Sequence, residues 1–436
     1  MKAEILALLS GGIRSATELR ARLGISQPSL SRALRSLRSD VVVLGRGPST
    51  RYALYRPFRD LSLELPVYRI DAAGQSARIG TLSTIAPNDY WYSDLERPSA
   101  SAAHASLPYF MTDMRPQGYL GRRFPQTYAD LDLPDQINDW NENQALYAIA
   151  RRGEDTVGNL IVGDESYARW VQAREHLTVV LEADRLVRYR VLADEAVAGR
   201  NPGSSAAGEQ PKFTVAVAKT GDAAIRHTLV KFSGLLTTSS GLRWSDLLAA
   251  EHLAGIVLRE SGHETARSQY LNDGYRAYLE VERFDRVGSH GRMGLISLGA
   301  LDDQFVGERR GWSESAAALL RAQLISAENA RELRFLAAFG DLIGNTDMHL
   351  GNASFVLDAF MRFQLAPAYD MLPMMHAPLR EELVAREFSL PQPRRGNADQ
   401  WTAALPIART FWQRVSDDDR ISVGFRELAR AARAAL

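Results

Sequence analysis

The 436-residue chain contains no cysteine. Disulfides, thiolate metal sites and cysteine nucleophiles are excluded, and a reducing cytoplasm is the expected location. No apolar run approaches the roughly 18 residues a spanning helix needs, so no membrane partner is expected. The first apolar stretch is short and runs straight into a polar helix, unlike a secretory leader. Net charge is also missing, since 52 Lys and Arg balance 52 Asp and Glu. That balance hides a division. Residues 1–60 carry eleven basic side chains against Glu4, Glu18, Asp40 and Asp60, which leaves the remainder about seven charges negative. A basic head on an acidic body points to a polyanionic partner for the head. The length suits two or three domains.

Within the head, Ala3 to Ser10 reads as a short helix. Ser15 and Glu18 form a capping-box pattern for a second helix, and Gly24 suits its left-handed end. Ser26, with Pro28 behind it, opens a third helix running to Leu37. Leu30, Ala33, Leu34 and Leu37 share one face of it, whereas Gln27, Ser29, Ser31, Arg32, Arg35 and Arg38 face outward. Val41 to Leu44 and Arg51 to Leu54 read as strands about a turn that holds Arg46. This pattern predicts a winged helix-turn-helix, with the third helix in the major groove of duplex DNA and Arg46 and Arg51 at the backbone or minor groove. The outward face is small, polar and basic with no acid, which favours DNA over a role in dimerisation.

The middle of the chain is less informative. Val67 to Ile70 and Ala77 to Leu82 suggest two strands of a meander, and Trp140 to Arg151 a helix. Pro98 to Ala103 reads as a loop of small residues. Trp91, Tyr92 and Trp140 are expected in the core. No chemistry stands out here.

Two kinase tripeptides, His-Arg-Asp and Asp-Phe-Gly, are also absent, yet their spacing is present. The turn Gly344-Asn345-Thr346-Asp347 is followed by Asn352 five residues beyond the aspartate. A strand from Ala353 to Leu357, a turn at residues 358–361 and a return strand from Arg362 to Leu365 lead to Asp370. Such a hairpin should bring Asp370 beside Asp347 and Asn352. Carboxylates held ~4 Å apart repel by roughly 4 kcal/mol at an effective dielectric near 20, a penalty that a cation removes. Hard oxygen ligands, one of them an amide, suit Mg2+ shared with substrate phosphates. A base aspartate, an asparagine and a second metal-binding aspartate reproduce a kinase catalytic centre, with Asp347 as base and Asn352 and Asp370 as metal ligands. Lys231 ends a strand, and Glu251 sits twenty residues on, in a helix that Ser245 is expected to cap and Gly262 to close. Leu247, Leu248, Gly255 and Leu258 share its side of that helix. A carboxylate on an apolar face needs a cation, and Lys231 supplies the lysine–glutamate pair that grips ATP phosphates.

Gly344-Asn345-Thr346-Asp347-Met348-His349-Leu350-Gly351-Asn352 and Leu365-Ala366-Pro367-Ala368-Tyr369-Asp370 closely resemble the signature of HipA-like serine/threonine kinases, toxins of bacterial toxin–antitoxin pairs. Leu107 to Phe110 and Pro116 to Gly121 resemble an N-terminal segment of the longer members. The loop before Phe213 is neither a Walker A nor a GxGxxG word. It resembles the family's Ser-x-x-Gly-x-Gln-x-Lys phosphate loop, which implies ATP contacts at Ser205, Gly208, Gln210 and Lys212. The family's self-inactivating autophosphorylation falls on Ser205, with Ser204 also available. Val281-Glu282-Arg283-Phe284-Asp285-Arg286 resembles the family hinge, which implies that Glu282 and Phe284 hold adenine through their main chain. Met374 to Gly396, with Arg380, Arg386, Arg394 and Arg395, reads equally as a protein-substrate loop or a plain surface loop.

The resulting expectation is an α+β chain. A winged helix-turn-helix (residues 1–60) precedes a kinase N-lobe with the phosphate loop (61–240) and an α-rich C-lobe (241–436). The resemblance implies transfer of the ATP γ-phosphate to a protein hydroxyl with Mg2+, an unknown protein substrate and an antitoxin partner, the last put in question by the fused head. The alternatives are a DNA-binding regulator that senses nucleotide without transfer, or a metal-dependent nuclease reusing Asp347 and Asp370.

Overall fold

A computed structural model describes residues 1–45, 47, 50–198, 210–221, 224–357, 362–379, 381–394 and 396–436. Its first unit holds three helices, Lys2–Ser10, Ala16–Leu23 and Gln27–Arg35, with a three-stranded sheet ordered Arg14–Ser15, Arg51–Leu54, Val41–Leu44. The local signals explain the boundaries. Ser15 and Glu18 close a reciprocal capping box, and Gly24 ends that helix at φ 65°. Ser26 caps the third helix, which stops at Arg35, two residues before the expected Leu37. Leu30, Ala33, Leu34 and Leu37 join Ile5, Leu9 and Leu19 in a small core.

The head is not strung on a linker. Tyr55 bridges Ile85 of the next unit, and Val42, Leu44 and Ala53 share a cluster with Ile85. That second unit is a five-stranded antiparallel sheet in the order Ala102–His104, Asp89–Asp94, Ser76–Ile85, Leu65–Ile70, Leu160–Val162. Helices Glu142–Arg152 and Asp164–Glu175 pack beside it. The expected meander is therefore larger than two strands, and the small-residue stretch ends in a strand rather than remaining loop.

Next comes a second five-stranded sheet, ordered Ser268–Asn272, Ala277–Glu282, Ile225–Phe232, Lys212–Ala218, Val179–Leu181, with only the last pair parallel. The helix alongside runs Ser239–Glu260 and is capped by Thr238. The expected cap, Ser245, lies inside this helix, where its hydroxyl meets the Tyr270 hydroxyl at 2.7 Å. Leu247, Leu248 and Leu258 are buried as their spacing required. The final unit is mainly helical, with Trp312–Arg321, Ala327–Leu342, Ala398–Asp417 and Val423–Ala435 around the largest core. Strands Ser354–Leu357 and Phe363–Leu365 form the expected hairpin, and Gly294–Ser297 adds a third strand. The turn at residues 358–361 lies outside the described residues. No helix among the described residues is long and apolar enough to cross a membrane.

Candidate functional site

A cleft lies where the second sheet faces the hairpin. Strand register builds its upper wall. Lys212 stands directly opposite Lys231 across an antiparallel pair, so both side chains leave the same face of the sheet. Both are buried, at 2 % and 3 % exposed. Two buried ammonium groups require anions, and the structure supplies them from two elements. Lys231 Nζ donates to both oxygens of Glu251, at 2.6 and 2.7 Å, and to Asp370 Oδ1 at 2.5 Å. Glu251, 7 % exposed, comes from the helix and Asp370 from beyond the hairpin.

Burial opposes charge on all three groups, and the outcome differs. Lys231 is held well above the usual lysine range because Asp370 and Glu251 outweigh its desolvation. Asp370 suffers the same burial, yet Lys231 and Lys212 hold its carboxyl below the usual range. Glu251 is pushed up by burial, only partly offset by Lys231. Asp370 also has φ 56°, in the left-handed region that few non-glycine residues adopt. Backbone strain of this kind costs on the order of 1–3 kcal/mol and gathers at functional sites.

The lower wall is a tight turn. Helix Ala327–Leu342 is capped by Ile343 and followed by Gly344, φ 71°, where an added Cβ would come within 2.6 Å of Met375 Sδ. Asn345 donates its side-chain N–H to the Asp370 carbonyl at 3.1 Å and accepts from the Asp347 N–H at 3.2 Å. Asn352 donates to the Asp347 carbonyl at 2.8 Å. One turn thus joins Asp347, Asn352 and Asp370. Asn352 and Asp370 line the cleft, while Asp347 is solvent-exposed on the turn. Among the described residues no group of three or more acidic or histidine side chains is placed to hold a metal by itself. That donor set fits an ion completed by phosphate oxygens rather than an all-protein cage. Asn352 uses its N–H on the turn, leaving its Oδ1 for a cation.

Glu282 and Phe284 line the other end of the cleft. The Glu282 N–H already donates to the Arg267 carbonyl at 2.8 Å, and the Phe284 ring packs 5.8 Å from that of Tyr369. Gln210 borders the undescribed segment, and Ser204, Ser205 and Gly208 lie outside the described residues, so nothing is stated of their placement. Of the loop arginines, Arg394 pairs with Asp341 and Arg386 donates to the Met375 carbonyl, while Arg380 and Arg395 are not described. In the head, Gln27, Arg32, Arg35, Arg38 and Arg51 are exposed, Ser29 and Ser31 half-buried, and Arg46 is not described.

Among the cleft residues that escaped the sequence reading are Asp113 and Gln117. Both come from the middle of the chain. Asp113 accepts from the Ser297 N–H and hydroxyl, at 2.6 and 2.7 Å, and burial pushes its carboxyl up. Nothing in the run Met111-Thr112-Asp113-Met114 marks it, because its partner lies 184 residues away.

Two family models match parts of the chain. Residues 61–171 match the family model described as YjjJ-like toxin, middle domain, and residues 204–436 match that of the HipA-like C-terminal domain. The chain is 36 % identical to Toxin YjjJ of Escherichia coli (strain K12) over 446 residues, covering 98 % of this chain and 96 % of that one. Its fold is similar to a chain of the Shewanella oneidensis MR-1 complex of HipA, HipB and operator DNA. There the TM-score is 0.51 at 15 % identity, over 85 % of this chain and 95 % of the other.

Proposed function

The chain belongs to the HipA-like toxin family, and from that membership and the cleft we propose that it is an ATP-dependent serine/threonine protein kinase. The observation that carries the reading is Lys231, clamped between Glu251 and Asp370 on the cleft wall shared with Asn352. Lys231 and Lys212, with the loop residues Ser205, Gly208 and Gln210, would hold phosphates, and Glu251 orients Lys231. The Glu282 carbonyl and Phe284 main chain would bind the adenine edge. Mg2+, held by Asn352 and Asp370, would neutralise charge on the transferred phosphoryl group. Asp347, exposed on its turn, can reach a hydroxyl presented by another protein and accept its proton. Ser205, or Ser204 beside it, is the autophosphorylation site in this reading, and an antitoxin is the expected regulator.

Protein incubated with γ-labelled ATP and Mg2+ should take up label, mapped by mass spectrometry to Ser205 or Ser204, and chelation of Mg2+ should stop it. Tight ATP binding without transfer would instead support a nucleotide-sensing DNA regulator.

For the head, the reading is a winged helix-turn-helix that binds duplex DNA through Gln27, Ser29, Ser31, Arg32, Arg35 and Arg38, with Arg46 and Arg51 on the wing. Its support is the exposed basic face opposite a buried apolar one. Binding measured by mobility shift should weaken with salt, with a log–log slope near 0.9 per phosphate neutralised and a total of several units. Arg32→Ala with Arg35→Ala should reduce that slope by about two contacts. A flat salt response would sink the DNA reading.

A further inference from the structure

A separate, open-mouthed cavity lies where the middle unit meets the second sheet and the hinge. Behind it sits an ionic cluster that is one carboxylate short. Asp155 pairs with Arg283 at 3.1 Å and Arg286 at 2.8 Å, and Asp285 pairs with the same two arginines at 3.1 and 2.6 Å. Arg292 stands directly across a strand pair from Arg286 and is 5 % exposed. Its Nη2 donates to the Glu154 carbonyl, its Nη1 has no partner, and no described carboxylate pairs with it. Burial and the neighbouring Arg286 and Arg283 drive its pKa down, only partly opposed by Asp155 and Asp285. A buried guanidinium left in that condition is costly unless an anion completes it.

The open side of the cavity adds further positive charge. Arg188 is exposed there, and the Arg174 guanidinium sits 4.7 Å above the Trp170 ring. Five arginines line the cavity against Glu154 and Asp155, and with Asp285 behind them the surplus is two cations when its two histidines are neutral. Guanidinium forks of this kind match planar or tetrahedral oxyanions. We propose that this cavity is a binding site for a small dianion of the phosphate or phosphate-monoester class, seated on Arg292 and faced by Arg174 and Arg188. The site lies apart from the cleft lysines and shares only Arg283 with the cleft lining, so it stands whether or not the kinase reading holds.

The test is calorimetric titration of the full chain with inorganic phosphate at constant ionic strength, with phosphoserine as a second arm. One saturable site is expected. Tighter binding of phosphoserine would identify a modified side chain as the source, tighter inorganic phosphate a free ion, and both support the site. Arg292→Met should abolish binding, and Arg174→Ala with Arg188→Ala should weaken it about tenfold or more. Without phosphate, Arg292→Met should melt at or above the parent temperature, because an unmatched charge is gone; a purely structural arginine would show the reverse. Should that variant fail to fold, the double variant decides. No saturable heat up to about 10 mM phosphate would overturn the proposal, as would affinity unchanged in the arginine variants.

Discussion

Asp347→Ala should lower phosphoryl transfer by about 10²- to 10⁴-fold while leaving ATP affinity within a factor of about two, the range expected for loss of a general base. The scaffold of the turn argues for that separation. Asn345 and Asn352 grip Asp347 through its backbone N–H and carbonyl, which alanine retains. The residues proposed to hold metal and phosphate are Asn352, Asp370 and Lys231, and the bonds from Lys231 to Glu251 and Asp370 do not run through the Asp347 carboxylate. Single-turnover transfer and nucleotide binding, measured side by side, decide it. An undiminished rate would remove Asp347 from the chemistry, and a parallel loss of ATP binding would mean that the turn itself had collapsed.

Lys231→Met should damage both nucleotide handling and the fold. Buried Glu251 and half-buried Asp370 would then lose the cation that bonds to both, with only Lys212 left nearby, and breaking a buried pair this way costs on the order of 3–5 kcal/mol. The pH dependence has a definite sign. With the lysine gone, Glu251, already pushed up by burial, should titrate further above its unfolded value, so the folded variant binds a proton there more tightly than the unfolded chain. Its stability deficit should therefore be full at neutral pH and shrink as pH falls toward about 5. Thermal melts at several pH values would reveal this, and adding Glu251→Gln should restore part of the loss. A deficit that grew on acidification would contradict the charge argument. DNA affinity, read in parallel, should not change, since the head lies outside the cleft.

The head was legible because its signals are short-range. Ser15 and Glu18, Gly24, and Ser26 with Pro28 each act within one helical turn, and the structure follows them to within two residues. The hairpin and the Lys231–Glu251 pair were legible for another reason. Buried charge must be matched, and few residues could match it. Where long-range packing decides, the sequence was silent. Helix Ala398–Asp417 carries Pro406 in its interior, a local argument against a helix, but Phe411, Trp412 and Val415 are buried in the main core and hold it. The start of the helix at Ser239 was misjudged because Ser245 offers an equally good local cap, while Thr238 takes the role. Asp113 and Asp155 reach the cleft rim and the hinge from a stretch with no motif, since their partners are Ser297 and the arginines near residue 285. The large loss expected for Lys231 and the misread cap thus have one origin, a helix whose placement depends on what it is packed against.

The seam at Ile85 carries a consequence of its own. Tyr55, Val42, Leu44 and Ala53 weld the basic head to the adjoining sheet, with Arg56 N–H donating to the Thr84 carbonyl at 2.9 Å. A head so mounted has an orientation set by this packed seam rather than by a linker. If it docks on a duplex as proposed, the mouth of the cleft would take a set compass bearing relative to the helical axis.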